Sequence, residues 1–259
     1  MDLDYVTLAL VDQVARLRLN EANGSVTAPK NSVHIESLSA SLVQVGQTFP
    51  LVANSCASLA TPQVCVADNW ITCHFNDQTS TLDNVDAFTS LWRPSCTTLR
   101  DAEWIAVNRG MNHSSNPPLI EEMKAAFEIL AQSHRKDGNI TLTVSALDQL
   151  AHRFNVTSGK WLVFTDFSTA DASWAEIVKL VCLRRGKGFA KVSVNKDENH
   201  HVICVYVDDF SDEVEVKKLR EELRSFGVVK KIGFKLDAYS HLGIYARNMW
   251  GISPNRYYE

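Results

Sequence analysis

Ala190-Lys-Val-Ser-Val194 and Val202-Ile-Cys-Val-Tyr-Val207 are two apolar, β-branched runs on either side of the polar turn Lys196-Asp-Glu-Asn199. Such runs joined by a short polar turn read as a β-hairpin. Downstream, Ser211 caps a predicted helix with Val216, Leu219, Leu223 and Phe226 on one face, and Gly227 ends it. Val229 to Leu236 returns as a strand. Upstream, Trp161 to Phe164 is a strand, and Asp171 caps a helix that carries Trp174, Ile177, Val178, Val181 and Cys182 inward until Gly186 and Gly188. Further back, Thr143 or Ser145 starts a helix faced by Leu147, Leu150, Ala151 and Phe154. Pro118 opens another, faced by Leu119, Met123, Phe127 and Leu130. Trp104 to Val107 and Trp70 to Phe75 are strands, and between them Asp83 caps a helix through Val85, Phe88, Leu91 and Trp92 that Pro94 stops. Five or six strands with helices between them, one hairpin and no repeat imply an α+β fold. The sheet is expected to be mixed and mostly antiparallel, with helices on one face and the other face free to bind.

N-terminal to Trp70 the regular signals fade. Leu3, Val6, Leu10, Val14 and Leu17 mark one face of an amphipathic helix. Glu21 to Val66 is rich in Ser, Thr, Asn and Val, broken by Pro29, Pro50 and Pro62, and has no sustained period. Two parts are therefore expected: an extension over residues 1–66 and one domain over residues 67–259.

A chain of 259 residues that is 45% hydrophobic can build a sizeable core. Its apolar runs fall far short of the roughly 20 residues that cross a bilayer, and no targeting pattern opens the sequence. The expected location is the cytoplasm, with the nucleus as an additional one. Six cysteines occur without a C-x-x-C pair, the usage of reduced, structural thiols. The net charge is -4, but it is unevenly spread. Residues 160–259 hold 16 Lys and Arg against 14 Asp and Glu, leaving 10 against 16 for residues 1–159. The C-terminal part is the better partner for an anion.

Glu103-Trp-Ile-Ala-Val107, Ser158-Gly-Lys-Trp-Leu162, Ala190-Lys-Val-Ser193, Val202-Ile-Cys-Val-Tyr206 with Asp208-Asp-Phe210, and Leu242-Gly-Ile-Tyr245 together resemble the Bles family (basophilic-leukaemia-expressed protein). Their order and spacing cover about residues 68 to 257. The resemblance implies the fold of the mRNA cap-binding initiation factor, a curved sheet with helices on its convex face and a concave face that binds. That factor grips a methylated base between two tryptophans by stacking and cation–π attraction. Here the loop after Trp70 to Phe75 is short and has no tryptophan, and two helices replace the loop after Trp104. Asn195 stands where the factor's phosphate-binding arginine is expected, and Thr89 where its partner-binding helix exposes a tryptophan.

Strand parity puts Lys191 with Ser193, Lys231 with Lys235, and Thr72 with His74. If helices cover the other side, these residues face outward, where lysines suit phosphates or are simply solvated. Lys196 lies in the hairpin turn. Arg184, Arg185 and Lys187 fall at a helix C-terminus, which favours cations without any ligand, with phosphate contact as the alternative. The ligand-binding candidates are thus Lys191, Lys196, Lys231, Lys235, Arg184 and Lys187. Asp208 and Asp209 read as turn and cap residues, although paired carboxylates can also serve acid–base work. His200 and His201 read as turn histidines, and Trp70, Trp104, Trp161 and Trp174 as core. With no P-loop, nucleophile elbow or zinc signature, the expectation is a non-enzymatic binding protein without cofactor or metal. It would take RNA or a nucleotide ligand on the concave sheet face. The alternative is a protein-interaction adaptor working through the N-terminal helix.

Overall fold

The computed structural model describes residues 60–110, 117–136, 142–195 and 200–259. The amphipathic pattern of residues 1–20 and the turn residue Lys196 lie outside them. The chain runs β1 (Gln63–Ala67), β2 (Trp70–His74), α1 (Leu82–Leu91), β3 (Trp104–Asn108), α2 (Ile120–Lys136), α3 (Val144–Arg153), β4 (Gly159–Asp166) and α4 (Phe167–Lys179). A π-helical stretch over Leu180–Arg185 follows, then β5 (Phe189–Ser193), β6 (His200–Val207), α5 (Glu213–Ser225), β7 (Gly233–Leu236), α6 (Asp237–His241) and β8 (Tyr257–Tyr258).

The strands form one eight-stranded sheet in the order β1-β2-β3-β5-β6-β4-β7-β8. Every neighbouring pair is antiparallel except β2 with β3. The α+β class and the mixed, mostly antiparallel sheet follow directly. The hairpin is β5–β6, and β6 also pairs along its whole length with β4, from Gly159 opposite Val207 to Asp166 opposite His200.

One sheet face is apolar, and the reason is parity. Ile71 and Cys73, Ile105 and Val107, Ala190 and Val192, Ile203 and Val205, Trp161 and Val163, and Phe234 and Leu236 all bury into one core with Val85, Phe88, Met123, Leu147, Trp174, Ile177, Val216 and Leu219 from the helices. Gly159 leaves room for the Phe234 ring in this layer: a Cβ there would lie 2.5 Å from it.

Several predicted boundaries shift, each for an identifiable cause. The segment expected as linker up to Val66 contains most of β1, whose residues are all exposed and so show no hydrophobic period. α4 begins at Phe167; Asp171 sits inside it, its carboxylate accepting from the Ser95 amide (2.9 Å) and hydroxyl (2.6 Å). Asp212 rather than Ser211 caps α5, accepting from the Glu215 amide. β7 starts at Gly233 instead of Val229. The fully buried Arg220 takes the carbonyls of Val228 and Lys230 at 2.8 Å each, and that of Glu259 at 3.1 Å, which draws the approach to β7 around its guanidinium.

Candidate functional site

The second sheet face carries the residues of opposite parity. Across the middle of the sheet, Thr72, Ala106, Lys191, Cys204, Leu162 and Gly233 lie in one register row. Toward one side of this row stand Trp70 and Trp104, which are paired across β2 and β3. Their rings are 6.0 Å apart and tilted by 36°. The Lys191 ammonium lies over both, 4.4 Å from the Trp70 centroid and 4.0 Å from that of Trp104, a geometry in which the ring quadrupoles attract the cation. Both indoles are half-buried, not core as the sequence suggested, whereas Trp161 and Trp174 are fully buried.

The aromatic surface continues. Phe189 is stacked 6.4 Å from Trp70 and meets Tyr206 edge-on at 5.2 Å. Lys160 then lies over the Tyr206 ring at 5.5 Å. Burial pushes the Tyr206 hydroxyl above its ordinary pKa, with Asp237 and Cys204 adding to it, so it stays a neutral donor or acceptor. Phe164 of β4 is 68% exposed on this same face.

Lys160 and Lys235 are register partners on β4 and β7, and both are buried. Lys160 donates to the Asp237 carboxylate and to the Ser240 hydroxyl, while the Ser158 hydroxyl donates to the other Asp237 oxygen. Lys235 rests on the ring of the exposed Tyr245, 3.5 Å from its centroid. Burial pulls its amine down from 10.5 to about 8; Lys160 adds to this and Asp237 opposes it.

The cations singled out from the sequence are dispersed. Lys191 and Lys235 share the outer sheet face, one half-buried and one buried, but are separated by two intervening strands. Lys231 is exposed just before β7. At the helix end, Arg184 is exposed, Arg185 pairs with Glu215 and Glu222, and Lys187 reaches Glu215 at 3.0 Å. Burial works to raise Glu215, but the Lys187 hydrogen bond and the Arg185 guanidinium outweigh it and hold the carboxyl below its ordinary range. Arg185 and Lys187 therefore tie the π-helical end to α5.

Asp208 and Asp209 line a cavity of about 220 Å³ with Arg185, Lys187, Asp212 and Glu215. Asp209 accepts from the amide and hydroxyl of Ser211, which is the turn role expected. His201 is not an open turn residue: it is buried on the core face at the other end of β6, its Nδ1 2.7 Å from the Ser193 carbonyl. The groups an acid–base site would need thus stand at opposite ends of one strand. Thr89 is buried too, its hydroxyl donating to the Val85 carbonyl, so this position of α1 offers no exposed anchor. Asn195 is engaged by the loop between α1 and β3, its backbone amide donating to the Thr97 carbonyl at 2.9 Å. Among the described residues no group of three His, Cys, Asp or Glu is placed to hold a metal ion, and no helix is long and apolar enough to cross a membrane.

Residues 121–243 match the family model of the basophilic leukemia-expressed protein Bles03. The match supports the Bles family for the stretch from α2 through α6, which includes Lys160, Lys191, Tyr206 and Lys235. Trp70 and Trp104 precede it.

Proposed function

We propose that this chain is a non-enzymatic binding protein that takes single-stranded RNA, or a ligand built from nucleotides, on the sheet face opposite the helices. The arrangement of a sheet backed by helices is read as the fold of the cap-binding initiation factor, with this face as its concave side. One observation carries the proposal: Trp70 and Trp104 stand side by side on a sheet surface with the Lys191 ammonium over both rings. Indole faces offer stacking that is worth about 1–3 kcal/mol per base and tolerates any sequence. A lysine beside them supplies the charge that phosphates require. Phe189 and Tyr206 extend the aromatic surface, as sheet-borne aromatics do where single strands are bound.

Because the Lys191 ammonium already lies over one face of each indole, a positively charged methylated base gains less here than between two empty tryptophans. Capped and uncapped RNA are therefore expected to bind alike. Titrating the full-length protein with each, while following tryptophan fluorescence, tests this. Expected are saturable quenching that weakens with salt, and a loss of about tenfold or more for Trp104→Ala, from the stacking energy above. Quenching that is absent, or unaffected by salt and by both Trp104→Ala and Lys191→Ala, would remove the RNA reading and leave the protein-adaptor alternative. The same proposal puts the protein in the cytoplasm and, in addition, the nucleus.

A further inference from the structure

At the far side of the sheet face from the tryptophans, two buried lysines lie near one carboxylate, and of the two only Lys160 is seen to bond it. Lys160 and Lys235 face each other across β4 and β7, each more than nine-tenths buried. Asp237 is held by Lys160 and Ser158. The contact that Lys235 makes is with a ring, that of Tyr245, and this ring is itself 58% exposed. Charge is left over: two ammonium groups against one carboxylate gives a net positive charge where packed side chains exclude much of the water. A buried ion without a hydrogen-bonded counter-charge is costly. A bound anion removes that cost.

We propose that Lys235, with Lys160 beside it and Tyr245 as a movable cover, forms a phosphate-binding subsite. The chemistry favours phosphate over carboxylate. A lysine is a compact point charge that accepts any approach of a phosphate oxygen, while planar carboxylates are matched better by the fork of an arginine. The proposal rests on the nucleotide-ligand reading above and deepens it. Lys191 and Lys235 lie on strands three steps apart, about 14 Å at the usual strand spacing. A ligand that stacks on Trp70 and Trp104 and also places a phosphate at Lys235 must therefore be an oligonucleotide, not a mononucleotide. Phe189 and Tyr206 floor the path between the two ends.

The test reads the Lys235 amine directly. Isotope-labelled full-length protein is titrated by NMR against inorganic phosphate, uridine 5′-monophosphate, uridine and, at matched ionic strength, chloride, with the Lys235 Nζ signal assigned through Lys235→Arg. Phosphate and the monophosphate are expected to saturate and to raise the amine's midpoint by about one pH unit or more, since an adjacent anion favours the charged form. Uridine and chloride are expected to leave it in place. Lys191→Ala should not alter the response, and Tyr245→Leu should keep it. A midpoint that moves no more with phosphate than with chloride overturns the subsite. The two proposals fail separately: phosphate acting on Lys235 in a protein that binds no RNA sinks the RNA reading alone. RNA binding that neither shifts Lys235 nor weakens in Lys235→Gln sinks the subsite alone.

Discussion

Lys235→Met removes an ammonium that the fold holds at a cost and keeps a flexible chain of similar length in its place. The amine falls from 10.5 to about 8 on folding, and each pKa unit corresponds to about 1.4 kcal/mol between the two protonation states. That sets an upper bound of about 3 kcal/mol, and water reaching the amine past the exposed Tyr245 screens it to about 1–2 kcal/mol. Loss of the cation–π contact with Tyr245 returns about 0.5–1 kcal/mol. At pH 7 the methionine variant is therefore expected to be more stable than the parent by about 1 kcal/mol. The pH dependence follows from the depressed value. Below about 8 both folded and unfolded chains carry the proton, so the penalty is present in full. Between about 8 and 10.5 the folded lysine is neutral while the unfolded one stays charged. The unfolded state then binds more protons, and the parent gains stability as pH rises. Urea unfolding of both proteins at pH 7, 9 and 10.5 measures the difference, with every other titrating group common to both. A variant less stable at pH 7, or an advantage that stays constant up to pH 10.5, would refute the account of Lys235 as a desolvated cation.

Gly159→Ala puts a Cβ 2.5 Å from the Phe234 ring at the β4–β7 seam; overpacking of this kind is expected to cost about 1–3 kcal/mol in the same urea assay. Burial pushes the thiols of Cys73 and Cys182 up to about 12 and that of Cys204 up to about 11, whereas Cys65 and Cys96 are exposed. In a Cys56→Ser background, a thiol reagent at pH 8 is expected to modify Cys65 and Cys96 quickly. The other three should react only once the chain unfolds, because the thiolate is the reactive species, and mass spectrometry of the modified peptides reads this out.

The sheet was legible wherever a strand buries one face and exposes the other. In Ile71-Thr-Cys-His74 and Ala190-Lys-Val192 the alternation alone separates core from surface, and in both it agrees with the observed burial; Ser193 has outward parity but is buried, its hydroxyl accepting from the Val202 amide. Parity also contained the answer for Trp70, which alternates with Ile71 and so belongs with Thr72 and His74 on the outer face. The general preference of large aromatics for the interior opposes that signal, so composition points Trp70 and Trp104 into the core where parity points Trp70 outward. β1 carried no such signal, because a strand exposed on both faces has no hydrophobic period. For Lys235 the parity was right and still insufficient. Its depth is set by Tyr245, ten residues on, and its electrostatics by Lys160 and Asp237, which strand pairing and the start of α6 bring alongside. Arg184, Lys187 and Lys191 look alike as basic residues in the sequence, yet one is exposed, one is held by Glu215 and one lies on two indoles. Which cations have charge to offer a ligand is decided by the carboxylates and rings that tertiary structure places beside them, and on the outer sheet face that accounting leaves its excess at Lys235.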